Sequence, residues 1–194
     1  MNHHYTEPSR LTRLFYRLVY DPLRARHLRR IVGSLRLAGS ENVLDFGSGA
    51  GSEAVYLARA LKTGGRLTCA DVSPTWLAEA RSRLGHARNV EFVQGDVREV
   101  PLPPAAYDVV LANYVLHDVD RAALPATLAA LARSIRPGGR FVAVEPLRSR
   151  HVHALLSADE LAGLMAEAGL RRVSSEEIES MPGPASLSVF ERAA

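Results

Sequence analysis

The run Asp45-Phe46-Gly47-Ser48-Gly49-Ala50-Gly51 constrains the fold more than any other part of the chain, because it closes an apolar stretch and opens directly onto a helical pattern. Glycines at a strand end allow the backbone to turn tightly and to approach a ligand without side chains in the way. The stretch before it, Glu41 to Phe46, reads as a short buried strand, and the helix after it carries Ala54, Val55, Leu57, Ala58 and Leu61. The same alternation continues with strands at Arg66–Val72, Val90–Gln94, Tyr107–Asn113 and Arg140–Glu145. Helices are predicted from Pro74 to about Leu84, from Asp120 to Arg136, where Pro137-Gly138-Gly139 stops the chain, and from Ser157 to Ala168. Leu170–Ile178 and Ser186–Glu191 complete the strand candidates, the first with weak alternation. Repeated strand–helix units predict an α/β fold with a mostly parallel sheet and helices on both faces.

Ahead of this core, Leu11, Leu14, Phe15, Leu18 and Val19 recur at helical spacing with Arg10, Arg13 and Arg17 turned away. Asp21-Pro22 is expected to break the helix, and a second runs from Leu23 to about Leu37 with Leu28, Ile31, Val32 and Leu35 inward. Eight arginines between Arg10 and Arg36 give this region a positive character, suited to an anionic partner or to a solvated helix face. With 194 residues the chain fits one domain, a helical segment (1–38) followed by the α/β core (39–194). The N-terminus lacks the apolar core of a secretory signal and no apolar run is long enough to cross a bilayer, so a cytoplasmic location is expected. Cys69 is a lone thiol in a predicted buried strand, and no residue spacing argues for a metal site.

On an open α/β sheet a ligand binds beyond the carboxyl ends of the strands. The dinucleotide fingerprint wants glycine at its first, third and sixth positions, and the sixth counted from Gly47 is Ser52. A loop of this form can accept a zwitterionic amino-acid portion, with Asp45 suited to a cationic amino group. Asp71, at the end of the second strand, can accept both hydroxyl protons of a ribose. Asp96, in Gly95-Asp96-Val97, can accept from an exocyclic amine while the Val97 backbone faces a purine edge. Each aspartate taken singly serves equally as a helix cap; their placement at successive strand ends describes an adenosine site carrying an amino acid.

The blocks VLDFGSGAG, LTCADVSPTWL, VQGDVREVPLPPAAYDVV, LANYVLHDVD and RPGGRFVAVEP resemble, in order, the signature blocks of class I S-adenosylmethionine-dependent methyltransferases. Within that family they are most similar to the small-molecule branch that includes the ubiquinone and menaquinone biosynthesis enzymes. The resemblance implies a Rossmann-like seven-stranded sheet whose last strand, Ser186–Glu191, is antiparallel to the rest, with S-adenosyl-L-methionine as cofactor. It assigns Asp45, Phe46, Gly47, Ser48, Gly49 and Gly51 to the methionine portion and Asp71 to the ribose, with Val72 as a further cofactor-binding residue. Asp96 and Val97 go to the adenine. Trp76 stands where a methionine is common in relatives and is expected to pack over the adenine or in the core. Asn113 would meet the cofactor through its backbone.

Methyl transfer is an in-line displacement, so positioning supplies much of the acceleration, and a base is needed only when the acceptor must lose a proton. Candidate acceptor-side residues are Tyr114, His117 and Asp118 after the fourth strand and Glu145 after the fifth. His117 is the candidate base, because imidazole titrates near neutrality, or else it holds the loop through hydrogen bonds. His151 and His153 lie in the loop where relatives build the acceptor pocket. Tyr5, Tyr16 and Tyr20 are the expected lid. The expected partner is a small-molecule acceptor rather than a nucleic acid. Rival expectations are a phospholipid or quinone methyltransferase resting on an anionic membrane through its basic N-terminal helix, and a cofactor-binding protein that only regulates a partner.

Overall fold

The computed structural model describes residues 8–62, 64–147, 156–181 and 183–193. Its seven strands have the sheet order β3-β2-β1-β4-β5-β7-β6, and the chain forms two compact units, residues 1–96 and 97–194.

The first unit begins with helix α1 (Arg10–Phe15), capped by Ser9, whose hydroxyl accepts from the Thr12 amide. A π-helical turn follows (Tyr16–Tyr20) and then α2 (Asp21–Ser34), with right-handed helical backbone at each junction. The break expected at Asp21-Pro22 is therefore absent. Proline lacks an N–H and its ring crowds the carbonyl four residues back, and a widened π turn just before it relieves that crowding without stopping the helix. Leu28, Ile31, Val32 and Leu35 face inward as anticipated. The N-terminal apolar row instead faces outward, with Leu11 79% and Leu18 62% exposed.

Strands β1 (Asn42–Phe46), β2 (Arg66–Asp71) and β3 (Val90–Gln94) pair in parallel, Leu44 against Thr68 and Cys69 against Phe92. Helices α3 (Ala54–Ala60) and α4 (Pro74–Leu84) provide the crossovers. The last four residues of β1 and Leu67 to Ala70 of β2 are buried, the near-continuous apolar reading of strands covered on both faces. Parallel pairing brings the ends of all three strands to one edge.

In the second unit β4 (Tyr107–Asn113) pairs in parallel with β5 (Ile135–Pro146), and β7 (Ala185–Arg192) lies antiparallel between β5 and β6 (Leu170–Ile178). Helix α5 (Leu124–Ser134) is shorter than predicted at both ends, and β5 starts before Pro137-Gly138-Gly139 rather than after it. The reason is a register shift in the β4–β5 ladder. Tyr107 pairs with Ile135, Val109 with Arg140, and Gly138 at φ 72° absorbs the extra residues. Arg136 is fixed on Asp108 at 2.6 Å. Helix α6 (Ala158–Glu167) is capped by Ser157, whose hydroxyl accepts from the Glu160 amide. The weak alternation of β6 has a simple cause, since only its first and last residues are buried on this sheet-edge strand. Phe141 and Phe190, paired across β5 and β7, are fully buried at the centre of this unit. Among the described residues no helix is long and apolar enough to cross a membrane.

Candidate active site

Two clusters of functional side chains form at strand ends, one within each unit. In the first, β1 runs into a loop held by its neighbours' backbone: Gly47 and Ser48 both donate to the Ala70 carbonyl, at 2.8 and 3.1 Å. Gly47, Gly49 and Gly51 have φ of 71°, 51° and 75°, a region that side chains disfavour. At Gly51 a Cβ would also come within 3.1 Å of the Ala80 Cβ, so glycine lets the loop rest on α4. Asp71 ties the loop to the next one, accepting from Gly49 N and Ser73 N, both at 2.8 Å. Burial raises its pKa, against the lowering effect of those two amides. Ser73 then caps α4 through the Trp76 amide.

Asp45 lies under this loop, 2% exposed. Its Oδ2 and the Ser48 hydroxyl are both buried and have no hydrogen-bond partner among the described residues. Burial, together with the charges of Glu53 and Asp71, pushes the Asp45 carboxyl well above the usual aspartate range. Unsatisfied buried acceptors of this kind suit a cationic or hydrogen-bond-donating ligand group. Val72 follows Asp71 half-buried, Gly95 donates to the Asp71 carbonyl at 3.0 Å, and Asp96 is half-buried beside the buried Val97.

Trp76 is 8% exposed and meets the ring of Tyr16, their centroids 5.2 Å apart and tilted by 57°. Tyr20 packs on Tyr16 at 4.7 Å and lies under the Arg24 guanidinium. Below these aromatics Asp21 accepts from Ser52 at 2.7 Å and pairs with Arg83 at 2.5 Å. Ser52, the residue standing where a dinucleotide loop has its third glycine, thus joins the glycine loop to the N-terminal helix. Neither Asp21 nor Glu53 was signalled by motif. Asp21 was read only as part of a helix break, and Glu53 reveals itself only through its burial close to Asp45.

The second cluster gathers Tyr114, His117, Asp118 and Glu145. Tyr114 has φ 56°, an uncommon conformation for a side-chain-bearing residue, and its hydroxyl reaches Ser180 at 2.7 Å. This turn re-aims the chain after Asn113, which is half-buried, into a one-turn 3₁₀ helix, Leu116–Asp118. Glu145 is 3% exposed and accepts from the amides of Val115, Leu116 and His117 at 3.2, 2.9 and 3.2 Å. It also lies 2.6 Å from His117 Nδ1, while His117 Nε2 is 3.8 Å from an Asp118 carboxylate oxygen. Burial works to lower the His117 pKa, and the hydrogen bond and charge of Glu145, aided by Asp118, outweigh it, so the net direction is up. Asp118 is raised by its own burial and by the Glu145 charge, against the lowering effect of His117. Cys69 is fully buried, and burial with the Asp45 charge pushes its thiol far up, which disfavours the nucleophilic thiolate. Tyr5, His151 and His153 lie outside the described residues.

Residues 43–139 match the model of the methyltransferase domain family. The chain belongs to that family. Over 106 residues it is 33% identical to the ubiquinone/menaquinone biosynthesis C-methyltransferase of Azotobacter vinelandii, covering 53% of this chain and 41% of that one. It is 34% identical to the demethylmenaquinone methyltransferase of Tropheryma whipplei over 131 residues, 66% of this chain and 52% of the relative. The chain thus spans about half the length of these curated relatives or less. A crystal structure of an S-adenosylmethionine-dependent methyltransferase from Aquifex aeolicus shares the fold, with a TM-score of 0.72 and 20% identity over 95% of this chain and 94% of that one. The seven-stranded sheet with its flanking helices gives this methyltransferase domain a Rossmann-like fold.

Proposed function

We propose that the protein transfers the methyl group of S-adenosylmethionine to a small-molecule acceptor by in-line displacement. The observation that carries this reading is the pair of buried, unsatisfied acceptors, Asp45 Oδ2 and Ser48 Oγ, at a loop whose glycines all have positive φ. They suit the ammonium group of an amino-acid moiety, which a dinucleotide lacks. The backbone from Phe46 to Gly51 follows the rest of that moiety. Each Asp71 oxygen has spent one lone-pair direction on a backbone amide and keeps another for a ribose hydroxyl. Val72, Trp76, Asp96 and Val97 are assigned to the adenosine and Asn113 to a backbone contact with the cofactor. Bound at such a site, a sulfonium supplies an electrophilic methyl carbon and a leaving group that becomes neutral on displacement.

The cluster after β4 is assigned to the acceptor. Glu145 accepts a hydrogen bond from His117 Nδ1–H, which leaves Nε2 as the basic atom of the neutral ring. His117 then removes the acceptor's proton when the nucleophile is a hydroxyl or an acidic carbon. Tyr114 and Asp118 flank the ring and are assigned to acceptor positioning. Glu145, enclosed by four hydrogen-bonding groups, acts by orienting His117. Tyr16 and Tyr20 are assigned to a lid, a role supported by the packing of Tyr20 on Tyr16 and of Tyr16 on Trp76.

Incubation of the protein with labelled S-adenosylmethionine and a pooled metabolite extract tests the reading. S-adenosylhomocysteine and a product one methyl group heavier than its precursor are expected. His117→Asn should lose about 10²- to 10⁴-fold in turnover with cofactor affinity retained, if proton removal is its task. Cofactor binding with no methylated product from any acceptor pool would contradict the assignment.

A further inference from the structure

We propose that the outer face of the N-terminal helix docks the protein onto an anionic lipid surface. The inference rests on the helix itself and is independent of the acceptor's identity. Seven large apolar side chains are exposed among the described residues, and six of them lie on this element: Leu11, Leu14, Phe15, Leu18, Val19 and Leu23. Contiguous apolar exposure on this scale marks a surface that meets something less polar than water.

The π turn makes the row continuous. In an α-helix, Leu23 would rotate away from Leu18, since residues five apart do not share a face. A π turn winds more slowly than an α turn, so a five-residue step across it comes back close to the same face, and Leu23 stays near the row of Leu18, Leu14 and Leu11. The opposite face remains in register too. Tyr16 and Tyr20 stay on the side that leads to His27, Leu28, Ile31 and Val32, all turned inward. One irregular turn thus keeps two separate faces straight along the whole helix.

Charge selects the partner. Residues 10–34 contain seven arginines and a single acid, Asp21. Asp21 is engaged by Ser52 and Arg83, so it does not offset that charge at the surface. Arg26 and Arg30 follow Leu23 at i+3 and i+7, continuing the apolar row as exposed cations. An apolar ridge ending in and bordered by arginines matches an interfacial helix, whose hydrocarbon side chains enter the acyl boundary while guanidinium groups pair with lipid phosphates.

The test uses the full chain and sedimentation with vesicles of phosphatidylcholine alone or mixed with phosphatidylglycerol. The protein should sediment with the anionic vesicles and be released progressively by salt. Leu11→Gln/Leu18→Gln/Leu23→Gln should weaken binding about a hundredfold, and Arg26→Gln/Arg30→Gln should weaken it on the mixed vesicles. Both variants should retain helical circular dichroism and S-adenosylhomocysteine affinity, because the altered side chains are exposed. Equal partitioning to neutral and anionic vesicles, undiminished binding by the leucine variant, or no vesicle binding at all would overturn the proposal. So would a wild-type dimer in ultracentrifugation that the leucine variant converts to monomer without any vesicle binding.

Discussion

Asp45→Asn is expected to stabilise the ligand-free protein while weakening its hold on S-adenosylhomocysteine. Asp45 is buried, its Oδ2 is unsatisfied, and both its burial and the charges of Glu53 and Asp71 raise its pKa above the ordinary 3.8. A carboxyl raised in the folded state contributes full stability below its unfolded pKa and loses it as pH rises through the folded value. The upward shift therefore costs the fold stability at neutral pH. The amide keeps the shape and removes the charge, so the variant should gain about 1–2 kcal/mol at pH 7. That gain should shrink as pH falls toward 4. Affinity should drop about 10- to 100-fold, the effect of losing a charged hydrogen-bond acceptor. Thermal unfolding across pH and calorimetry on the same samples read the two effects. A variant less stable than wild type, with unchanged affinity, would assign Asp45 to the scaffold alone.

Glu145→Ala should be the most damaging single change in the second unit. One carboxylate, 3% exposed, receives three backbone amides and the His117 ring. Truncation leaves several buried donors unsatisfied, so a loss of about 3–5 kcal/mol is expected in chemical denaturation. Glu145→Gln keeps an acceptor and should fold, which separates the electrostatic effect from the structural one. Without the negative charge, burial prevails at His117 and its pKa should fall, visible in the ring-proton NMR titration. The raised wild-type value has a defined stability consequence. The imidazolium–carboxylate bond contributes fully below the unfolded histidine pKa of about 6.5, and that contribution disappears as pH climbs through the folded value. The stability gap between wild type and Glu145→Gln should therefore narrow toward alkaline pH. A gap constant across that range would mean that His117 does not carry the charge assigned to it.

The fold was legible wherever the pattern of burial is strong. Strands covered on both faces, such as Val43 to Phe46, announce themselves as apolar runs, and the glycine run after them marks a tight turn, with positive φ at Gly47, Gly49 and Gly51. Errors fell where tertiary pairing overrides a local signal. Pro137-Gly138-Gly139 has the chemistry of a helix stop, yet the register shift against Tyr107 and Val109 takes it into β5. Asp21-Pro22 has the chemistry of a break, yet the π turn carries the helix through it. The first-unit cluster could be read from spacing because its residues lie at strand ends or in the turns that follow them. Glu145 could be placed at a strand end for the same reason, but its grip on the Val115–His117 amides depends on how β4 turns after Tyr114, which no spacing reports. The Asp21–Ser52–Arg83 network joins residues far apart in sequence, and only folding brings them together.

The central claim is that the glycine loop and the ends of β1 and β2 hold an adenosyl amino acid. Titration calorimetry with S-adenosylhomocysteine and with NAD, on wild type and Asp71→Ala, tests it most directly. Wild type should bind S-adenosylhomocysteine and not NAD, and the variant should lose most of that affinity, since Asp71 fixes Gly49 and is assigned to the ribose. Binding of NAD in preference, or full affinity in Asp71→Ala, would contradict the account.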